Sequence, residues 1–288
     1  MKTMNAERHT YLQKTYDLMD TAGQLAGLKE DGFALVPKVL IPAEVEETKA
    51  EIDALRAFNF DRDQLNKVGA VDHFKCVFNR DPYWLPLLDR PGVIELAEAS
   101  MGEDCHVIGM TAWRSHPNPV QSAGEIQGLS PNGIHTDQNF FQVKEELLAS
   151  GEVELPIMLC TAHYYLSDIT IDLCPTWVIP GSHKSGGPIP FGAKENPERL
   201  LEWRGNKIQP VLVKAGDVLF FRSEIWHAGS RNRTEADVRY LLQVHYGRRM
   251  IAQKFSPYLN FHFNQEVVSQ ASHRQRRLLG EHRQSAYD

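Results

Sequence analysis

Cysteine is scarce in this chain. Four residues, Cys76, Cys105, Cys160 and Cys174, are spread over 288 positions with no C-x-x-C pair among them. That spacing argues against a structural zinc site or a dithiol redox motif, and isolated thiols suit a reducing compartment. Long hydrophobic runs are missing too. No apolar stretch approaches the ~20 residues that cross a bilayer, and the opening segment MKTMNAERHT has no signal-peptide core. The expectation is a cytoplasmic protein without a membrane partner. Positive charge is in short supply: 31 Lys and Arg stand against 37 Asp and Glu, a formal net charge of −6. Such a balance argues against a large phosphate-binding surface, so no nucleic-acid partner is expected. The exception is the basic stretch His273–Arg283, in a C-terminal tail over 270–288 that reads as a solvated terminal helix or frayed end. The helical H-E-x-x-H pair of many zinc hydrolases is absent, and no internal repeat is evident.

What is present is a β-rich chain with enough apolar material for a sizeable core. Hydrophobic residues make up 42% of the sequence, and barrel-type folds often run this long undivided, so residues 1–288 read as one domain. Thr161–Leu166, Thr176–His183 and Arg239–Tyr246 read as strands, and Val211–Phe221 as strand, Gly-Asp turn, strand. Short strands with turn signals between them are the pattern of a sandwich or barrel. Residues 1–58 look mainly helical around a short strand at Phe33–Val36. Pro42 opens a helix with acids in its first turn, and Val45, Thr48, Ile52, Leu55 and Phe58 recur at helical spacing. That segment should cover the outside of the barrel. Residues 59–134 mix strand and loop with a helix at Val93–Met101. Asn118–Gly133 and Lys184–Asn206 read as long functional loops over the barrel mouth.

The chemistry concentrates in residues 135–250. His135 and Asp137 are one residue apart, and on an extended segment such a pair points to one face. Both can then reach one metal ion while Thr136 points away. His227, just past an apolar β-prone run, would complete two imidazoles and one carboxylate. That set on one side of Fe(II) leaves positions open for an oxidisable co-substrate and O₂. An H-x-D pair alone is a weak signal among 12 His and 37 acidic residues. Other residues have plainer readings: His183 as a turn or strand residue, His163 and His245 as hydrogen-bonded core histidines. Trp113, Arg114 and His116 are candidates for a substrate cavity, with Trp113 equally well explained as packing.

Context turns the weak pair into a specific pattern. The segment Leu166–Lys184, LSDITIDLCPTWVIPGSHK, together with Ala215–Phe221, AGDVLFF, and His227 followed by Asn232, Arg233 and Thr234, resembles the phytanoyl-CoA dioxygenase family. The opening Glu30–Val45, EDGFALVPKVLIPAEV, belongs to the same resemblance, which runs in order from about residue 28 to about 250. The resemblance implies a mainly β double-stranded β-helix, or jelly roll, with flanking α-helices. It implies an Fe(II)- and 2-oxoglutarate-dependent oxygenase with His135, Asp137 and His227 as iron ligands. It also implies Arg239 as partner of the distal carboxylate of 2-oxoglutarate, because a planar, permanently charged fork suits a carboxylate better than Lys. Leu173-Cys174 stands where many members have Asn-Gly, and the interval from His227 to Arg239 is about one residue longer than usual. Arg231 and Arg233 are therefore rival anchors. Thr176 and Asn132 are candidates for further hydrogen bonds to 2-oxoglutarate. Halogenating relatives lack the carboxylate ligand, so Asp137 disfavours that outcome.

The expected activity is hydroxylation, or the related desaturation, epoxidation, epimerisation or cyclisation, of a small to medium organic metabolite, with release of succinate and CO₂. Fe(II), 2-oxoglutarate and O₂ are the implied cofactors, with ascorbate supportive in vitro. A cupin-like metal protein acting without 2-oxoglutarate is the alternative; it would not need an inward Arg on the last strand. The substrate resides in loop shape rather than in any motif.

Overall fold

Alternation along each strand divides the side chains between two faces, and the computed structural model shows what each face meets. It describes residues 14–56, 71–189, 200–255 and 261–284. The first helix, α1 (Thr21–Glu30), starts where the Asp20 carboxylate accepts the Gly23 amide hydrogen at 2.9 Å. After β1 (Phe33–Val36), α2 (Pro42–Ala54) opens on Pro42, and Glu44 reaches back to the Ile41 amide at 2.9 Å. Then follow β2 (Val71–Lys75), α3 (Val93–Met101), β3 (His106–Ser115), the short α4 (Glu145–Ala149), β4 (Leu159–Tyr165) and β5 (Thr176–Val178). The chain continues through β6 (Glu202–Trp203), β7 (Asn206–Lys207), β8 (Gln209–Val211), β9 (Val218–Arg222), β10 (His227–Gly229) and β11 (Arg239–Gly247). It closes on α5 (Gln265–Gln270) and α6 (His273–Leu278).

Six strands form one sheet in the order β1-β9-β4-β11-β3-β2, and three form a second in the order β10-β5-β8. Every pair in both is antiparallel. Ala34, Val36, Ala162, Tyr164, Val218 and Phe220 face one way, into a core shared with Leu28, Val45 and Ile52 of the first two helices. Their neighbours Phe33, Leu35, Tyr165, Leu219 and Phe221 face the other way and join Val178 and Val211 of the small sheet. The two sheets therefore pack face to face with helices on the outside of the larger one, a mainly β sandwich of the expected class. A third cluster, with Trp177, Ile179 and Trp226, buries Leu129 and Ile134 and so pins the segment leading into His135.

Helix α2 buries Val45, Thr48 and Ile52 at the expected spacing, and α3 has the expected bounds. Phe58, and the rest of the N-terminal cover outside 14–56, lie beyond the described residues. Three expectations change. The strand expected over Thr176–His183 ends at Val178. Pro180 has no amide to continue a ladder, and Gly181 sits at φ +78° before a 3₁₀ turn at Ser182–Ser185. The expected loop Lys184–Asn206 contains strand β6, which pairs with β7 across Arg204 and Gly205; residues 190–199 lie outside the described set.

The C-terminal segment is not a frayed end over its described part. Arg274 and Arg277 bind the Glu98 carboxylate of α3 at 2.5 and 2.6 Å, and Leu278 is fully buried. Arg274, Arg276 and Arg277 find acidic partners within the same chain.

Candidate active site

The backbones of His135 and His227 are clasped: the amide of each donates to the carbonyl of the other at 2.9 Å. The Asp137 amide donates to the Ser223 carbonyl at 2.9 Å, so the segment runs extended beside residues 223–227. No regular strand forms over 135–137, only this isolated bridge. The bridge is sufficient to put His135 and Asp137 on one side, opposite His227. Ligand atoms of all three lie within 4.8 Å of one another. Asp137 Oδ1 is 3.9 Å from His135 Nε2 and 3.7 Å from His227 Nε2.

The donor set fits a divalent metal. His135 Nδ1 is 2.8 Å from the Gly133 carbonyl, and His227 Nδ1 is 3.0 Å from the Ile225 carbonyl. A carbonyl only accepts, so each neutral ring carries its hydrogen on Nδ1 and presents a lone pair at Nε2, the tautomer a metal requires. Burial lowers the proton affinity of His227, against the pull of Asp137. Burial alone would raise the Asp137 carboxyl. The neighbouring His227, His245 and Lys254 outweigh it and hold the group below the usual carboxylate range. Burial thus favours a neutral His227 ring beside an ionised Asp137 carboxylate.

These residues open onto a cavity of about 620 Å³ between the sheets. Alternation along β11 aims Arg239, Leu241, Gln243 and His245 into it. Arg239 is 8% exposed and lies over the Tyr165 ring, with 5.8 Å from its guanidinium carbon to the ring centroid. Its buried Nε has no hydrogen-bond partner among the described residues. The rivals are engaged elsewhere. Arg231 binds Glu125 at 2.8 and 3.0 Å, Arg233 pairs with Asp172, and neither lines the cavity. Thr176 lines it too and accepts the Tyr165 hydroxyl at 3.0 Å. Asn132 does not. The 3₁₀ turn Pro131–Gly133 buries Pro131 and, three residues on, Ile134, which leaves Asn132 exposed outside the cavity.

A second unpartnered donor lies between Arg239 and the metal cluster. Trp113 Nε1–H donates to Gln243 Oε1 at 2.8 Å, which orients the Gln243 amide so that Nε2 donates to His163 Nε2 at 2.8 Å. His163 must then carry its hydrogen on Nδ1, which is buried without a partner among the described residues. Burial first, and the Arg239 charge second, hold its pKa well below the ordinary histidine value. His245 Nδ1 is 2.9 Å from Thr161 Oγ1, which lies 3.5 Å from Asp137 Oδ2. Burial and Lys254 push the His245 pKa down to about 3. Both histidines are hydrogen-bonded, as expected, yet they line the cavity rather than the core. Trp113 lines it as well, whereas Arg114 turns outward to Asp53 and Asp72 and His116 to Asp72. Sequence reading missed Gln243, which alternation from Arg239 would have found, and Lys75 and Lys254, for which no motif exists.

The sequence model of the phytanoyl-CoA dioxygenase (PhyH) family matches residues 28–240. Dioxygenase af480 of Aspergillus fumigatus is 24% identical over 229 residues, 77% of this chain but 65% of that relative, slightly under two thirds of its length. Dioxygenase trt7 of Aspergillus terreus is 22% identical over 261 residues, 88% of this chain and 81% of the relative. Among solved structures, HygX from Streptomyces hygroscopicus with nickel, 2-oxoglutarate and hygromycin B bound superposes with a TM-score of 0.57. The match covers 80% of this chain and 88% of HygX at 19% identity. The carbocyclase SnoK from nogalamycin biosynthesis superposes with a TM-score of 0.55, covering 82% of this chain and 88% of SnoK at 16% identity. Both share the fold described above.

Proposed function

Because the chain belongs to the phytanoyl-CoA dioxygenase family, we propose that it is an Fe(II)- and 2-oxoglutarate-dependent oxygenase that hydroxylates an unactivated C–H bond of a small or medium organic metabolite. His135, Asp137 and His227 hold the iron. Arg239, with Thr176 beside it, receives the distal carboxylate of 2-oxoglutarate. The observation that carries this reading is the pairing of two features in one cavity: a three-ligand cluster with its lone pairs converging, and a buried guanidinium nitrogen left without a partner. An unpaired buried donor is costly, and a carboxylate is the acceptor that suits this fork. A metal protein acting without 2-oxoglutarate would have no use for it.

Iron and 2-oxoglutarate together supply the oxidising power, with succinate and CO₂ as by-products. The chain's own residues position and shield. The His135–His227 clasp fixes two ligands before any metal arrives, and the Gly133 and Ile225 carbonyls fix their tautomers. Tyr165 and Leu241 wall the Arg239 side against water. The His163 Nδ1–H offers a further donor to the bound carboxylate. Desaturation, epoxidation, epimerisation and ring closure can issue from the same oxidising centre, and a place in natural-product chemistry fits the relatives' names. The test is succinate release from 2-oxoglutarate with Fe(II), ascorbate and O₂, which proceeds slowly even without prime substrate in such enzymes. Fe(II) binding without any consumption of 2-oxoglutarate would favour the cupin-like alternative.

A further inference from the structure

On the reading just given, the iron's two positive charges and 2-oxoglutarate's two negative ones cancel, as do Asp137 and Arg239. The remaining cavity wall is then positive. Lys254 and Lys75 line the cavity, and among the described residues Asp137 is the only carboxylate that does. Lys254 has no side-chain hydrogen bond and no ion pair within 4 Å among the described residues. Its backbone is fixed by an amide bond to the Ile108 carbonyl at 2.7 Å. Its side chain runs past Gly109, where an added Cβ would lie 3.8 Å from Lys254 Cδ and 3.6 Å from the His245 ring. The glycine thus leaves the floor open where Lys254 and His245 approach it.

Position along the sheet separates this cation from the 2-oxoglutarate anchor. In the β11–β3 ladder Gly109 stands opposite His245, six residues along from Arg239. At the usual strand rise that is roughly 20 Å. Asp137 belongs to the His245 level, through Thr161. Arg239 enters the cavity from the start of β11 and its guanidinium reaches back over Tyr165, opposite Leu241, whereas Lys254 lies at the level of the metal cluster beside His245. Between them the walls carry the stacked pair Trp113 and His73, with ring centroids 3.6 Å apart, and the apolar Leu241 and Phe255.

We propose that Lys254 is the substrate-orienting residue and that the prime substrate is an organic acid. Its apolar or aromatic body would lie against Trp113 and Phe255, and its carboxylate would meet the Lys254 ammonium. An ammonium set beside apolar walls suits the carboxylate of an otherwise apolar acid. Tethering the acid end at Lys254 brings carbon atoms of the body to the metal cluster, so one ion pair sets which C–H bond is presented. Burial first, and the Lys75 charge more weakly, oppose the protonation of Lys254, while Asp137 favours it.

The proposal is tested with a panel of arylalkanoic acids, 4-phenylbutyrate among them, each beside its methyl ester. Binding is measured by saturation-transfer NMR and calorimetry on Mn(II)-loaded protein, with and without 2-oxoglutarate. A charged hydrogen bond gained by the acid alone predicts that acids bind about tenfold tighter than esters or better. Lys254→Met should erase the preference, and Lys254→Arg should keep it, which separates lost charge from lost folding. Equal binding of acid and ester, binding by neither, or a preference that survives Lys254→Met overturns the proposal. So does acid binding that 2-oxoglutarate abolishes, since the acid would then sit at Arg239. Wild-type succinate release is measured in parallel. Its absence, beside an intact acid preference, would sink the oxygenase reading and leave the anion site standing.

Discussion

At the scale of single residues, Asp137 and His227 each supply a ligand atom that no neighbouring group duplicates among the described residues. Asp137→Ala or His227→Ala is expected to abolish stoichiometric Fe(II) binding, and succinate release with it. Metal analysis after gel filtration decides this, and wild-type metal content in either variant would move the site elsewhere. Arg239 makes a sharper test. Losing a buried charged partner commonly costs about 3–5 kcal/mol, so Arg239→Ala should raise the KM for 2-oxoglutarate on the order of a hundredfold or more. Iron binding should persist, and Arg239→Lys should recover only part of the loss for want of the planar fork. Arg231→Ala and Arg233→Ala, by contrast, break ion pairs with Glu125 and Asp172 outside the cavity and should leave that KM near wild type. A large defect in either would show that β11 has been read in the wrong register. Sequence alone left the three arginines undecided because what distinguishes them is long-range: an acid on another segment, or none.

At the scale of elements, what could be read in advance follows from period. The H-x-D pair, the Val93–Met101 helix and the alternating face of β11 are local patterns, visible in any window that contains them. The place of Asn132 outside the cavity and the docking of the expected C-terminal helix α6 were not legible because their surroundings come from elsewhere. The turn at Pro131 is held by the cluster around Trp177, and Arg274 and Arg277 of α6 are claimed by Glu95 and Glu98. Lys254 was invisible for the same reason. One turn combines both kinds of information. Gly216, in the bend between β8 and β9, has φ +95°, and a Cβ there would lie 2.4 Å from the Leu40 carbonyl oxygen. Gly216→Ala should therefore destabilise the protein by about 2 kcal/mol or more, from positive-φ strain and the clash together. Chemical denaturation provides the measurement, and a change within 0.5 kcal/mol of zero would show that the bend relaxes freely, since surface substitutions commonly fall within about that range.

At the scale of the whole molecule, buried neutral histidines make the fold sensitive to acid. Burial pushes His183 and His245 down to about 3 and holds His163 well below its ordinary value. A base whose pKa is lower folded than unfolded binds more protons in the unfolded state. Its contribution to stability is complete above the unfolded value near 6.5 and is lost as pH falls from there toward 3. Each such residue contributes a slope of up to about 1.4 kcal/mol per pH unit. Urea unfolding of the metal-free protein between pH 7.5 and pH 5 should therefore show a steep loss. His183→Gln, at a residue that does not line the metal cavity, should flatten it by about one residue's share, and an unchanged slope would mean that His183 is already charged in the native protein.

The strand β11 also decides where this chain tolerates insertions and deletions. Residues 230–238, in the stretch between His227 and Arg239, form a surface connection that Asn232 ties down by side-chain bonds to the Ser115 and Asp237 carbonyls. A residue added or removed in its exposed part changes only loop length, which costs little. One residue added after Arg239 would turn the rest of the strand over, carrying Gln243 and His245 into the helix-facing core and Leu242 and Val244 into the cavity. Lineages descending from this sequence are thus free to drift in length on one side of Arg239 and frozen on the other.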